Sequence, residues 1–206
     1  MNQLLRSLTC MKLSVINLKP LVIACGVLML GVAMAANAAE TRSLELFGVV
    51  LKGASRDQLR QAFKKNGLRA KREDARYWVD TYSAKGVLDG ASDFKAGYAS
   101  ASGKFAFAQY TFPAFMDRQL VAKIIKLVSA KYGQPDNLEG YLEVGEVTAV
   151  WNMGQNMRVS VSRGWPNTTT YLTYTDLTEN SQMNEEIEAE KAAQTAHKAR
   201  AQSNAF

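Results

Sequence analysis

A broad apolar stripe in the segment 117–133 places the strongest constraint on what this chain can fold into. Apolar residues recur there at helical spacing: Leu120, Val121, Ile124, Ile125, Leu127 and Val128. Because a helix turns by about 100° per residue, they cover about 160° of its surface and predict an amphipathic helix that packs on another layer. Asp117 is the predicted N-cap, Gly133 supplies the left-handed end, and Pro135 prevents continuation.

Strand-like segments and one further helix are expected to supply that layer. The further helix spans 56–66, with Ser55 as its N-cap and Gly67 at its end. Apolar or alternating runs predict strands at 43–51, 76–83, 94–99, 104–112, 146–151, 157–163 and 169–176. The first of these is interrupted by Gly48.

The order of a helix followed by three strands occurs twice along the chain. Gly67 and Gly133, which end the two helices, are 66 residues apart. We therefore predict an α+β domain at 39–178, made of two αβββ units at about 43–113 and 114–178. The strands are expected to form antiparallel sheet packed on the two helices. An internal duplication would explain the repeat, and so would a chance recurrence of the same order.

This pairing of helix-plus-strands units resembles the β-lactamase-inhibitor protein and the BamE-like outer-membrane assembly lipoproteins. The resemblance covers about residues 44–176 and is one of topology. No short motif is shared and the mature chain lacks their cysteines, so no site residue is transferred. The chain is also similar to exported bacterial proteins of unassigned function. Because the named proteins bind partners or assist assembly, the resemblance implies a binding or assembly protein and not a catalyst.

The first 38 residues are typical of a secretory signal peptide. Arg6, Lys12 and Lys19 form a basic leader, and the uncharged apolar segment 21–36 follows them. Ala36-Asn37-Ala38 fits a signal-peptidase site, which predicts cleavage after Ala38 and a periplasmic or secreted protein. The apolar segment is shorter than the roughly 20 residues that span a bilayer. Met11 is an alternative start to Met1.

Both cysteines, Cys10 and Cys25, lie in this leader. The mature chain therefore has no disulfide, thiol nucleophile or thiolate ligand. The segment 22–25, Val-Ile-Ala-Cys, resembles a lipobox, so a membrane-anchored protein, held by lipidated Cys25 or by an uncleaved leader, is an alternative. Without such an anchor, no transmembrane span is expected in the mature chain.

Charge and composition limit the partners. The chain has a formal net charge of +6, and without the leader 22 Lys and Arg stand against 19 Asp and Glu. That excess is too small to predict binding to nucleic acid. From residue 179 to 206 the chain is rich in Ala, Glu and Gln, with Met183 and Ile187 as its larger aliphatic residues. We expect an exposed, fraying helical tail there.

Histidine and cysteine chemistry is excluded from the predicted domain. The single histidine, His197, lies in the tail, so no His-based triad or zinc site is expected. No catalytic residue, metal or cofactor is predicted. Several aspartates fall in or near loops: Asp74, Asp80, Asp89, Asp93 and Asp136. Their spacing selects no pair, and turn aspartates explain them, but a carboxylate-based hydrolase of cell-envelope material remains an alternative.

Two groups of residues are candidate binding sites. Arg56, Arg60 and Lys64 recur at i, i+4 and i+8 on the first helix, where a cationic row is either a solvated face or a site for an anionic lipid, a glycan or an acidic protein. Arg163 precedes a tight turn at 164–167 and Trp165 lies within it, and both residue types are typical of interfaces. Alternatively, Trp165 folds back as a lid on the sheet. The sequence therefore predicts an exported, non-catalytic binding or envelope-assembly module.

Overall fold

The computed structural model describes residues 43–114 and 117–203. The predicted leader, its cleavage site at Ala38 and Cys25 lie outside these residues. The elements are, in chain order, β1 (Glu45–Leu46), β2 (Val49–Val50), α1 (Arg56–Lys65), β3 (Arg69–Arg72), β4 (Val79–Ser83), β5 (Asp93–Tyr98), β6 (Phe105–Phe112), α2 (Leu120–Tyr132), β7 (Asn137–Gly140), β8 (Val147–Asn152), β9 (Met157–Arg163), β10 (Thr170–Asp176) and α3 (Leu177–Ser203).

Eight strands form one antiparallel sheet in the order β3-β4-β5-β6-β10-β9-β8-β7. Two four-stranded meanders meet at its centre, where β6 pairs with β10. The predicted α+β fold, with a large antiparallel sheet and a C-terminal helix, is confirmed. Each unit contains four strands and not three, because β3 and β7 were not predicted. Every residue of these edge strands is exposed, so neither carries the alternating apolar pattern that identifies a half-buried strand.

The main core lies between the sheet and the two helices α1 and α2. From α1, the ring of Phe63 packs edge-on against Tyr82 and Phe94, with centroids 5.4 Å and 4.9 Å apart. From α2, the buried side chains are those of Val121, Ile124 and Val128. Burying aromatic and branched side chains at these densities is the main source of stability in a domain without disulfides.

The two helices differ in how well the sequence predicted their ends. Ser55 caps α1 as expected, within a capping box completed by Gln58. In contrast, Asp117 does not cap α2: the helix begins at Leu120, and the Asp117 carboxylate accepts a hydrogen bond from the Gln119 N–H. A local Asx-type turn has replaced the predicted cap. The apolar stripe is also narrower than predicted, because Leu127 is 51% exposed.

The segment 43–51, predicted as one strand, forms a short hairpin of two strands, β1 and β2, with two residues each. Phe47 and Gly48 both have positive φ, 54° and 76°, and reverse the chain between β1 and β2. Two successive left-handed residues match the tight turns that join antiparallel strands. Gly48 therefore turns the chain where the sequence indicated only an interruption.

The first turns of α3 pack on the sheet face opposite α1 and α2. Met183 is buried with Ala99 and Ala106, and the Glu186 carboxylate accepts hydrogen bonds from Trp78 Nε1 and from the backbone N–H of Ser100. The prediction of an exposed tail from 179 to 206 is therefore wrong for these turns. It holds for residues 188–203, all of which are exposed.

Within residues 43–114 and 117–203, no helix combines the length and the apolar character needed to cross a bilayer.

Candidate functional site

Two of the three cations in the predicted row on α1, Arg56 and Arg60, form a cluster of ion pairs inside the protein. Asp80, on β4, is fully buried and accepts hydrogen bonds from both neighbouring arginines. Arg56 Nη2 lies 2.6 Å from Asp80 Oδ1, and Arg60 Nε lies 2.8 Å from Asp80 Oδ2. Arg56 also donates to the carbonyl oxygens of Asp74 and Tyr77. These two arginines therefore join α1 to the sheet.

The same cluster decides the charge state of the aspartate. Burial alone would raise the pKa of Asp80, but hydrogen bonds from Arg60 and Arg56 outweigh it and lower the pKa. The bond to Asp80 in turn raises the pKa of Arg60. Lys64, the third residue of the row, is exposed and makes no ion pair within the described residues. A row of three free cations is thus absent from the described part of α1.

A second region, at the other end of the sheet, displays apolar side chains to solvent. We call it the Trp165 surface and define it as Tyr141, Leu142, Val144, Trp165 and Pro166. Tyr141 is 82% exposed and Trp165 is 58% exposed. These residues lie in the β7–β8 loop and the β9–β10 loop, at the same end of the sheet. Exposed aromatic and aliphatic residues in one region are characteristic of interaction sites.

Arg163 supports this surface from below. Arg163 is only 3% exposed, because it is the last residue of β9 and lies on the core-facing side of the sheet. Its guanidinium donates to three carbonyl oxygens of the β7–β8 loop, and the bonds are 3.0 Å to Tyr141, 2.9 Å to Leu142 and 3.0 Å to Gly145. A fourth bond, of 3.3 Å, reaches the carbonyl oxygen of Arg118. These bonds offset the desolvation of a buried cation and hold the loop in one conformation.

Glycine closes the same loop at its base. Gly140 has φ of +88°, and a Cβ at this position would lie 1.9 Å from the carbonyl oxygen of Glu146. Only glycine fits such a close backbone approach. The backbone of the β7–β8 loop is therefore held at its base by Gly140 and from the core side by Arg163, while the apolar side chains of the loop stay exposed.

A groove opens between this loop, the β9–β10 loop and the start of α2. Its volume is about 330 Å³, near the lower limit for small-molecule sites. It is lined by Asp117, Arg118, Glu143, Val144, Gly145, Arg163, Trp165, Pro166 and Thr168. This volume is large enough for one apolar side chain of a partner, and Val144, Trp165 and Pro166 supply the apolar part of the lining.

The β7–β8 hairpin that adjoins the Trp165 surface is acidic. The segment 133–157 contains four carboxylates and no lysine or arginine. The four are exposed, and none forms an ion pair in the part of the chain that the structure describes: Asp136, Glu139, Glu143 and Glu146.

From the sequence, Arg163 and Trp165 were predicted to lie in one site and both to contact a binding partner. In the structure they are neighbours, with Trp165 on the surface and Arg163 in the interior. Tyr141, Leu142 and Val144 were not predicted. The available signal was an apolar run, Y-L-E-V, enclosed by Gly140 and Gly145, since apolar residues within a turn have no strand face to bury them.

No metal site is evident among the described residues, where no group of three or more His, Cys, Asp and Glu side chains comes together. The prediction that the chain uses no metal or cofactor stays a prediction.

Comparison with known proteins gives little information about what this site does. No protein-family model matches the chain, and no curated protein matches its sequence. A solved structure of YjgB, a DUF4309 family protein from Bacillus subtilis subsp. subtilis str. 168, is similar to 65% of this chain and 86% of its own, with 13% identical residues and a TM-score of 0.40. A similarity at this level is too low to assign a fold or a function.

Proposed function

We propose that this protein is an exported, non-catalytic binding module that engages another protein of the cell envelope through the Trp165 surface. The observation that carries the proposal is the position of Arg163. A buried arginine donates to three carbonyl oxygens of a loop whose own apolar side chains face solvent. Such support lowers the entropy that a binding loop loses when its partner docks.

The Trp165 surface has the composition of a binding hot spot. Tryptophan and tyrosine are enriched at the centres of interfaces, where one ring contributes a large contact area with few rotatable bonds. Here Trp165 and Tyr141 are both more than half exposed. In a protein that had no partner, that exposure would favour aggregation without adding stability.

Export is proposed from the leader alone. The basic start, the apolar segment 21–36 and the small residues at Ala36 and Ala38 support it. A membrane anchor at Cys25 is the alternative outcome of the same segment, and the intact mass of the protein isolated from cells distinguishes a free terminus after Ala38 from a lipidated cysteine.

The alternative of a carboxylate-based hydrolase is less well supported. A general acid needs a raised pKa, but the pKa of Asp80 is lowered, and so are those of Asp74 and Asp93. Each of these carboxylates is also paired with a cation. None of these three aspartates thus has the raised pKa of a general acid, and the buried Asp80 instead joins α1 to the sheet.

Site-specific photocrosslinking in the exported full chain tests the proposal. A photoreactive phenylalanine replaces Trp165 in one variant and Tyr77 in a control, because Tyr77 is an aromatic residue of similar exposure (47%) in the other half of the molecule. We expect a discrete crosslinked protein at position 165 that disappears when Tyr141 is also changed to alanine. Crosslinking at position 77 alone, or at neither position, would contradict the proposal.

A further inference from the structure

The two edges of the sheet are protected to different degrees. β3 forms one edge, and its sequence R-A-K-R places cations along it. β7 forms the other edge, with the sequence N-L-E-G, all of it exposed and without lysine or proline. Charged side chains, lysine above all, and prolines on an edge strand discourage another strand from pairing with it. β7 carries one charge, that of Glu139, and β3 carries three, so β7 is the less protected of the two edges.

The less protected edge is continuous with the Trp165 surface. β7 leads directly into the β7–β8 loop through Gly140, and that loop carries Tyr141, Leu142 and Val144. The groove lies on the inner side of this loop, so an extended segment paired with β7 reaches it by continuing past Gly140 and crossing the β7–β8 loop. Peptides bound by strand addition use this combination of main-chain hydrogen bonds and side-chain pockets.

Charge decides which segment fits. The cations around the groove are Arg118, the buried Arg163 and Lys123, whose Nζ lies 3.6 Å from Asp117 Oδ2, and the carboxylates beside them are Asp117 and Glu143. The β7–β8 hairpin adds three exposed carboxylates and no lysine or arginine: Asp136, Glu139 and Glu146. An anionic lipid or an acidic glycan would be repelled there, whereas lysine and arginine side chains would be attracted.

We infer that the partner contributes a cationic, extended polypeptide segment that adds to the sheet beside β7, continues across the β7–β8 loop and inserts an apolar side chain into the groove at Trp165. This inference rests on the proposed function, since it names the kind of partner that the Trp165 surface takes. It also distinguishes the surface from the α1 row, for which an anionic partner was predicted.

Titration of the full chain with three short synthetic peptides tests the inference. The first alternates lysine and valine around a central phenylalanine, and the second replaces each lysine with glutamate. The third is the first with alternate backbone amides methylated, so that it cannot pair with a strand. The readouts are the fluorescence that is lost in a Trp165→Phe variant and the hydrogen exchange of the β7 amides.

We expect the lysine peptide alone to bind, with protection of the β7 amides and an affinity that falls as salt is added. Changing Asp136 to asparagine and Glu139 and Glu146 to glutamine should weaken it about tenfold, because three exposed charge pairs contribute roughly 0.5 kcal/mol each. Changing Glu185, Glu188 and Glu190 on α3 to glutamine is the matched control and should have no effect, since these residues lie away from the hairpin.

Equal or better binding of the glutamate peptide would overturn the inference, and so would unchanged binding of the methylated peptide or no binding of any of them. These results are separable from the proposed function. A protein crosslinked at position 165 whose contacting segment is acidic or helical would keep the Trp165 surface as a binding site and refute the cationic strand.

Discussion

The two halves of the sheet share a topology and differ in how they use charge. In the first half, Asp74, Asp80 and Asp93 each pair with an arginine or lysine. In the second half, the four carboxylates between Asp136 and Glu146 form no ion pair among the described residues. The first half buries one of these carboxylates, Asp80, and uses it to join α1 to the sheet, whereas the four carboxylates of the second-half hairpin face solvent beside exposed apolar residues.

Under the proposed function, this difference separates the residues that stabilise the molecule from those that contact a partner. A buried, paired aspartate holds two elements together but offers little to a partner. Exposed carboxylates beside a fixed apolar loop contribute little to stability and are available for contact. Mutations in the two halves should therefore affect different properties.

Removing the buried charge of the first half should have the largest effect. Asp80→Asn keeps the volume of the side chain but leaves two arginines without their carboxylate, and we expect a loss of about 3 kcal/mol in the free energy of unfolding. Both arginine side chains keep some contact with solvent, which holds the effect at the lower end of the range. Urea denaturation measures it, with Asp89→Asn, on an exposed residue, as the control. Equal effects of the two changes would contradict the assigned role of Asp80.

The pH dependence of stability should depend on the same carboxylate, that of Asp80. Asp80 has a lower pKa in the folded protein than its ordinary value of 3.8, and the hydrogen bond from Arg76 lowers the pKa of Asp74 to about 2. Folded carboxylates of this kind bind fewer protons than unfolded ones, so their stabilisation is complete above pH 3.8 and is lost as the pH falls through the folded values. Denaturation at a series of acidic pH values should show a weaker pH dependence in Asp80→Asn than in the unaltered protein. An identical dependence would assign it to other groups.

Replacing Arg163, in the second half, should cause a smaller loss in the free energy of unfolding. Arg163→Met keeps the length of the side chain but removes its hydrogen bonds to the loop carbonyls, which should destabilise the protein by about 2–3 kcal/mol. The more specific result is local. Backbone amides of residues 141–146 should exchange faster while those of β4 and β5 are unchanged. Uniformly faster exchange would mean that Arg163 supports the whole fold and not this loop.

The smallest effect on stability is expected at the centre of the proposed binding surface. Trp165→Ala should change the free energy of unfolding by no more than about 0.5 kcal/mol, because the side chain is more than half exposed. Thermal or urea unfolding measures this value. A large loss would mean that the indole covers the end of the core, and the contrast between the two halves would then disappear.

The helices and central strands were predictable because their signals are local. The apolar positions of α2 and the alternation in β9 and β10 follow directly from the periods of a helix and a strand. The edge strands β3 and β7 could not be found in this way, since they bury no side chain and exist because a neighbouring strand supplies their hydrogen bonds. The cap of α2 was predicted wrongly because Asp117 had a local alternative partner in Gln119.

By itself the sequence determined the α+β class, the recurring order of helix and strands, and the residue types available for binding, because each depends on composition or on short-range spacing. Only the tertiary structure decided which cations are free. Arg56 and Arg60 appeared as a surface row until β4 placed Asp80 against them. Likewise, Arg163 and Trp165 are two positions apart in sequence, but the pleat of β9 and the turn after it send one into the core and the other to the surface. Long-range contacts set burial, and burial separates a structural charge from one that can meet a partner.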